Sequence, residues 1–155
     1  MSLPLKSVTI LVADDDPDDR KLTQEAFSES KLANDLRFVE DGVEVFDYLN
    51  RIGKFADPTT SPWPSILLLD LNMPRMDGRE VLVELKKNPR YAGIRVIVMT
   101  TSKSEADINK SYMLNAASYI TKPVTFDSLV NVVTMLGKYW LEIVELPDND
   151  TRSNE

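Results

Sequence analysis

The chain has 155 residues, a net charge of −7, and neither cysteine nor histidine. The absence of cysteine excludes disulfides, thiolate catalysis and zinc–cysteine sites. The absence of histidine excludes histidine bases, Ser-His triads and a phosphohistidine on this chain. No cluster of lysine and arginine is present, which argues against non-specific binding to nucleic acid or to an anionic membrane surface. The available chemistry therefore rests on carboxylates, hydroxyls and lysine.

The length and the hydropathy pattern predict one cytoplasmic domain. No apolar run approaches the roughly 18 residues that a membrane span needs, and no signal-peptide pattern precedes the first predicted strand. A chain of 155 residues has the usual size of a single domain with a sizeable core. Residues 147–155 are polar and are predicted to form a disordered tail.

Five predicted strands alternate with five predicted helices. The strands are expected at residues 8–13, 35–40, 66–70, 94–99 and 117–121. The helices are expected at residues 16–30, 43–53, 77–88, 104–115 and 125–142. In the first two helices, helical spacing predicts that Leu22 and Ile52 face the core. The alternation predicts a parallel sheet with helices on both faces.

The third predicted strand is the most informative stretch. Four large aliphatic residues, 66–69, are followed by Asp70, and Pro74 ends the run shortly afterwards. A short apolar run bounded by turn residues is typical of a strand buried on both faces. Such a strand carries an acid only at its end, which is where Asp70 lies.

Polar side chains also follow other predicted strands. Asp14–Asp16 come after the first strand, Thr100 after the fourth, and Lys122 after the fifth. Right-handed crossovers bring the carboxyl ends of parallel strands to one edge of the sheet. We therefore expect these side chains to meet Asp70 there, at the edge where doubly wound sheets bind ligands.

Three carboxylates at one edge, those of Asp14, Asp15 and Asp70, indicate a cation site. At an effective dielectric constant near 20, each pair ~4 Å apart costs about 4 kcal/mol. A cation would make the arrangement tolerable, and oxygen ligands without histidine or cysteine favour Mg²⁺ or Mn²⁺.

The aspartates after the first strand also fit a purely structural role. Asp16 followed by Pro17 is typical of a helix N-terminus, and taken alone the acidic string fits a cap as well as a metal site. Asp18 and Asp19 fall in the first turn of that helix, where they suit its dipole.

Lys122 is expected to place an ammonium beside the carboxylates and to pair with Asp70 or with a phosphoryl oxygen. Pro123 follows it, and the bond before a proline is the expected place for a cis peptide.

Taken together, these motifs resemble the receiver domain of two-component response regulators. The resemblance covers about residues 7–142, implying a single receiver domain over residues 1–146. The motifs that carry it are Asp14-Asp15, Asp70, Met73-Pro74, Asp77-Gly78, Thr100 and Lys122-Pro123. A narrower resemblance, to single-domain phytochrome-associated regulators, rests on residues 22–26, 77–82, 100–102, 118–123 and 140–144.

The resemblance implies a flavodoxin-like sheet in the order 2-1-3-4-5 with five helices. It implies that Asp70 accepts a phosphoryl group from a phosphohistidine on a partner sensor histidine kinase, of which the phytochrome type is one candidate. Mg²⁺, with Mn²⁺ as the alternative, would bind Asp15, Asp70 and the backbone carbonyl of Asn72, and Asp14 through water.

The other implied roles concern catalysis and switching. Lys122 would neutralise charge on the phosphoryl oxygens. Thr100 would bond a phosphoryl oxygen and Tyr119 would then move inward, as a two-position switch. The chain would be a signalling phosphoacceptor that catalyses only its own phosphorylation and dephosphorylation. Asp16 stands where many relatives carry asparagine, which adds negative charge near the metal.

The predicted output is a protein contact, onward phosphotransfer or phosphate buffering, since no DNA-binding segment follows the last helix. We expect a homodimer through the predicted helix 104–115, the fifth strand and the C-terminal helix. The aromatic anchors would be Tyr112, Tyr119, Tyr139 and Trp140. Packing of Trp140 on its own domain is the alternative. The loop 55–64 is either a partner surface or a tolerated insertion.

Three other functions fit parts of the pattern. A Mg²⁺-dependent phosphohydrolase would use Asp70 as nucleophile, but the haloacid-dehalogenase type needs a second aspartate where Asn72 stands. A flavodoxin-like cofactor site needs a first loop that binds phosphate, which Asp14–Asp16 would repel. A degenerate receiver used only for docking is disfavoured by the complete set of motifs.

Overall fold

The computed structural model describes residues 8–30, 34–100 and 118–138. Five strands form one parallel sheet in the order β2-β1-β3-β4-β5, which confirms the predicted topology. The strands are β1 Val8–Ala13, β2 Asn34–Val39, β3 Ile66–Asp70, β4 Arg95–Thr100 and β5 Ser118–Thr121. This order places β3, and with it Asp70, in the middle of the sheet.

Four α-helices lie within the described part of the chain. They are α1 Pro17–Glu29, α2 Gly42–Leu49, α3 Gly78–Lys87 and α4 Phe126–Leu136, and two short 3₁₀ turns cover Gly53–Phe55 and Pro89–Tyr91. The predicted helix at 104–115 lies outside the described residues. So does the end of the predicted C-terminal helix, with Tyr139 and Trp140.

An oxygen-bearing side chain caps each helix at its N-terminus. Asp16, Asp41 and Asp77 cap α1, α2 and α3, and Thr125 caps α4. At α3 the cap is reciprocal, because the Glu80 side chain accepts from the backbone N–H of Asp77. These caps satisfy N–H groups that would otherwise lack partners in the first turn, so the helix starts follow from local sequence.

Two hydrophobic cores lie on the two faces of the sheet, and β3 contributes to both. Leu67 and Leu69 pack with residues of α2 and α3. Ile66 and Leu68 pack with residues of α1 and α4. All five residues of β3 are buried, which explains why its sequence is continuously apolar instead of alternating.

Two expectations about inward-facing residues were wrong. Leu22 is 40% exposed, because it lines the mouth of an open pocket together with Phe126 and Leu129 instead of the closed core. Ile52 is 55% exposed, because α2 ends at Leu49 and Arg51 takes a left-handed backbone conformation with φ of 55°. The predicted residues Val81, Leu82 and Leu85 of α3 are buried as expected. Within the described ranges, no helix has the length and apolar character to span a membrane.

Candidate functional site

The register of the sheet brings the predicted site residues to one edge. Ala13 pairs with Leu69, so the next residues along the two strands are Asp14 and Asp70. On the other side of β3, Thr100 pairs with Thr121 across β4 and β5, and Lys122 follows directly. The convergence expected from the crossover rule is therefore present in the structure.

Asp14, Asp15 and Asp70 form a compact acidic cluster. One carboxylate oxygen from each lies within 4.8 Å of the other two. Asp14 and Asp70 are only 4% and 8% exposed, whereas Asp15 is exposed to solvent. Two buried carboxylates and one exposed carboxylate make a set of hard oxygen donors that is open on one side. This donor set fits a divalent cation such as Mg²⁺ or Mn²⁺.

The electrostatics of Asp70 reflect its burial. Loss of hydration raises the pKa of its carboxyl group to about 6, against a usual value of 3.8, and the negative charge of Asp14 acts in the same direction. The Lys122 charge and a hydrogen bond from the Asn72 backbone N–H, 3.1 Å from Asp70 Oδ1, oppose this rise. At neutral pH the carboxylate form still predominates, and it is the form that can act as a nucleophile.

Lys122 lies among three carboxylates. Its Nζ is 2.8 Å from Asp19 Oδ2, 2.9 Å from Asp14 Oδ2 and 3.4 Å from Asp70 Oδ2. Burial lowers the pKa of Lys122, but the bonds to Asp19 and Asp14 and the charge of Asp70 outweigh it, so the pKa lies above its usual value. Lys122 therefore carries a positive charge beside Asp70. The expectation of a cis bond before Pro123 was wrong, since the described peptide bonds include no cis bond.

The loop after β3 holds Asp70 in place through close backbone packing. The Gly78 N–H donates to Leu71 O at 3.0 Å. A Cβ added at Gly78 would lie 2.5 Å from Asp70 O, so only glycine allows α3 to start this close to the strand end. Arg75 has a left-handed φ of 61° and donates from Nε to Asp41 Oδ2 at 2.8 Å. The motif Met73-Pro74 and Asp77-Gly78 thus shapes the turn beneath the acidic cluster.

Thr100 and Tyr119 are placed by the backbone alone. Thr100 is the last residue of β4, and Tyr119 pairs with Val98 in β5. Their side chains are outside what the structure describes, so their switching roles stay predictions. The role of the Asn72 backbone carbonyl as a metal ligand also stays a prediction.

Sequence reasoning missed two residues that complete the site. Asp19 is predicted only to suit the helix dipole, but its carboxylate makes the shortest contact of Lys122 among the described residues. Arg20 donates from Nη1 to the backbone carbonyl of Asp14 at 2.6 Å, which fixes the end of β1. Both lie in the first turns of the helix that begins directly after the Asp14–Asp16 string, so their proximity to the site could have been inferred.

Asp16 has the structural role that its sequence context allowed. Its Oδ1 accepts from the Asp18 N–H at 2.9 Å, and its own N–H donates to Asp14 Oδ1 at 3.0 Å. Asp16 therefore caps α1 and buttresses Asp14, and it is not one of the three clustered carboxylates.

Comparison with known proteins identifies the class of protein to which this fold and site belong. The model of the response regulator receiver domain family matches residues 10–134, and the chain belongs to this family, as the sequence motifs predicted. Receiver-domain proteins of this kind are signalling proteins.

The similar proteins include phytochrome-linked regulators. Response regulator Rcp1 of Synechocystis sp. is 39% identical over 138 residues, which cover 89% of this chain and 92% of Rcp1. The crystal structure of the phosphorylated cyanobacterial phytochrome response regulator RcpA is 37% identical with a TM-score of 0.81, covering 92% of this chain and 100% of RcpA. The Mn²⁺-bound form of Rcp1 is 38% identical with a TM-score of 0.77, covering 91% and 99% of the two chains.

Proposed function

We propose that this chain is a phosphoacceptor of a two-component system, in which Asp70 receives a phosphoryl group from a phosphohistidine on a sensor histidine kinase. The observation that carries the proposal is the environment of Asp70. Its carboxylate lies at the end of the central strand, 3.4 Å from the Lys122 ammonium and within 4.8 Å of two further carboxylates that suit a divalent cation.

The contacts of Asp70 suit it to act as the nucleophile of the transfer. Asp70 Oδ1 accepts from the Asn72 N–H and Oδ2 faces Lys122, so the carboxylate is held in one orientation. An Asp70 oxygen would attack phosphorus as the phosphorus–nitrogen bond of the phosphohistidine breaks, and the electron pair would return to the imidazole. Lys122 would offset the negative charge on the phosphoryl oxygens. The product is an aspartyl phosphate.

We propose that Mg²⁺, or Mn²⁺ in its place, binds Asp15, Asp70 and the Asn72 backbone carbonyl, with Asp14 contacting it through water. When bound, the ion supplies charge neutralisation at the phosphoryl oxygens. The relative Rcp1 has been crystallised in a Mn²⁺-bound form, which supports a divalent ion at the corresponding acidic cluster.

The kinase partner and the signalling output are proposed from the similarity to known response regulators. The similarity to a phytochrome response regulator favours a phytochrome-type kinase as the phosphoryl donor. The chain would act in the cytoplasm as one receiver domain over residues 1–146, signalling through protein contacts, with Thr100 and Tyr119 reporting the phosphoryl group. A phosphohydrolase is disfavoured, because Asn72 cannot replace the acidic group that such an enzyme needs.

The test is incubation with acetyl phosphate and Mg²⁺, followed by mass spectrometry of the intact chain. We expect one base-labile phosphoryl group per chain in the wild type and none in Asp70→Asn. Asp16→Asn is a matched control, since it removes a neighbouring carboxylate and keeps a good helix cap, and it should still be phosphorylated. Equal incorporation in the wild type and Asp70→Asn would disprove the proposal. Catalytic turnover of a small phosphoester, in place of one phosphoryl group per chain, would favour the phosphohydrolase.

A homodimer through the predicted helix 104–115, β5 and the C-terminal helix is proposed as the signalling contact. β5 is the last strand in the order of the described sheet, and Met135 on α4 is 64% exposed; both features support the proposal. We expect sedimentation to show a dimer at micromolar concentration in the presence of beryllofluoride. A monomer at tens of micromolar, with and without beryllofluoride, would contradict it.

A further inference from the structure

The ammonium of Lys122 is shared unequally among its carboxylate partners. Among the described residues, its shortest contacts are with Asp19 at 2.8 Å and Asp14 at 2.9 Å, and Asp70 is 3.4 Å away. A lysine ammonium has three N–H donors, so the bonds to Asp19 and Asp14 leave one donor, and its contact with Asp70 is the longest of the three. The two shorter contacts are therefore with Asp14, directly after β1, and with Asp19, in the first turn of α1.

Asp19 is distinguished from its neighbour Asp18 by this contact. Both lie in the first turn of α1, where a negative charge interacts favourably with the helix N-terminus. The helix is already capped by Asp16, so neither is needed as a cap. Asp18 is exposed, and the ion pairs described for Lys122 are with Asp14, Asp19 and Asp70.

Asp19 approaches Lys122 from the solvent side of the site. Its side chain is 35% exposed, against 6% for Asp14 and 10% for Asp70. The helix fixes its backbone, since Thr23 Oγ1 donates to Asp19 O at 2.9 Å. Asp19 therefore holds the ammonium from a rigid element that belongs to neither the acidic cluster nor the β3–α3 loop.

We propose that Asp19 is a positioning residue that competes with Asp70 for Lys122 and so sets how much of the lysine charge reaches a phosphoryl group on Asp70. The inference rests on the proposed function of Asp70. In this proposal, a phosphoryl group on Asp70 draws the ammonium from Asp19 toward its own oxygens. Neutralising Asp19 removes this competitor and one negative charge beside the phosphoryl oxygens, and both changes favour the phosphorylated state.

The contact itself is tested on the metal-free protein by NMR of the Lys122 side-chain ammonium, assigned with Lys122→Met. We expect Asp19→Asn to shift the Nζ resonance and to accelerate exchange of its protons with water. Asp18→Asn makes the same change of charge in the same helical turn and should leave the resonance unchanged. A substitution that only weakened α1 would not distinguish these two variants, and thermal unfolding of both checks that the fold is retained.

The consequence for Asp70 is tested by titrating beryllofluoride, a phosphoryl mimic, at saturating Mg²⁺. We expect Asp19→Asn to bind it about fivefold more tightly than the wild type, which is the size of the net contribution of a typical intramolecular hydrogen bond. Asp18→Asn should differ less than about twofold, as is usual for an exposed charge. Asp19→Glu restores the carboxylate and should return the affinity toward the wild-type value.

Two results would overturn the inference. One is a Lys122 Nζ resonance that does not shift in Asp19→Asn. The other is an equal change of beryllofluoride affinity in Asp18→Asn and Asp19→Asn. A failure of the proposed function is distinguishable from both, since the wild type would then form no adduct with either acetyl phosphate or beryllofluoride.

Discussion

The carboxyl group of Asp70 sits in an environment that favours its neutral form. Its pKa is raised from 3.8 to about 6, first because it is buried and also because Asp14 is close. The unfolded chain has no such environment. The stability that this group contributes is therefore fully present below pH 3.8 and is lost as the pH rises through about 6. The difference between the two pKa values corresponds to roughly 3 kcal/mol.

Asp70→Asn should remove this pH-dependent loss of stability. In metal-free buffer, we expect the variant to exceed the wild type by about 2–3 kcal/mol in free energy of unfolding at pH 8. The difference should shrink toward zero at pH 4, where the wild-type carboxyl group is protonated. Urea denaturation at pH 4, 6 and 8 measures it, with the exposed Asp18→Asn as control. A difference between Asp70→Asn and the wild type that does not change with pH would refute this account.

Among the structural elements, the end of the loop 55–64, which precedes β3, is held in place by aromatic packing. The Trp63 ring stacks on Tyr91 with centroids 6.0 Å apart, and the Arg90 guanidinium lies 5.0 Å from the Trp63 ring centre. Tyr48 donates from its hydroxyl group to Pro62 O at 2.7 Å. The end of the long loop thus packs against α2 and the turn after α3. Use of its exposed part, residues 56–60, by a partner stays untested.

Trp63 should contribute to stability through its ring and not through its N–H group. Its Nε1 has no hydrogen-bond partner among the described residues. We expect Trp63→Ala to lower the free energy of unfolding by about 2 kcal/mol, less than for a fully buried tryptophan because the ring is half-buried. Trp63→Phe keeps an aromatic ring beside Tyr91 and should lose less than half as much. Denaturation in urea provides the measurement.

Neither Trp63 variant should alter phosphoryl uptake by Asp70. Trp63 precedes the amino end of β3, whereas the acidic cluster lies at the carboxyl ends of the strands. A loss of stability in Trp63→Phe equal to that in Trp63→Ala would show that the indole N–H matters after all. A loss of phosphoryl uptake under conditions where the variant is folded would show that packing at the amino ends of the strands affects the site at their carboxyl ends.

For the molecule as a whole, part of the negative charge lies in one cluster of carboxylates. The net charge is −7, and three carboxylates crowd one edge of the sheet. A cation that binds the folded chain and not the unfolded chain stabilises it in proportion to the logarithm of its concentration above Kd. The midpoint of thermal unfolding should therefore report on the metal site.

We expect saturating Mg²⁺ or Mn²⁺ to raise the Tm of the wild type by several degrees. Asp15→Asn should abolish most of this increase, because it removes one of the three clustered carboxylates. Asp16→Asn removes the adjacent charge and should keep most of the increase. Differential scanning calorimetry with and without the ion gives the comparison. An equal loss in both variants would mean that the ion responds to net charge and not to a defined site.

Local sequence signals are enough to predict the described strands and helices and the edge of the sheet at which the strands end. Caps such as Asp77 and the continuously apolar β3 are local signals, and the handedness of crossovers then brings Asp14, Asp70 and Lys122 together. The pairing of distant side chains and the burial of the site residues depend on tertiary contacts. The pairing of Lys122 with Asp19 spans 103 residues of sequence, and the raised pKa of Asp70 depends on burial by several elements. Periodicity predicts which face of a helix is apolar, but what covers that face, as at Leu22, depends on contacts between distant segments.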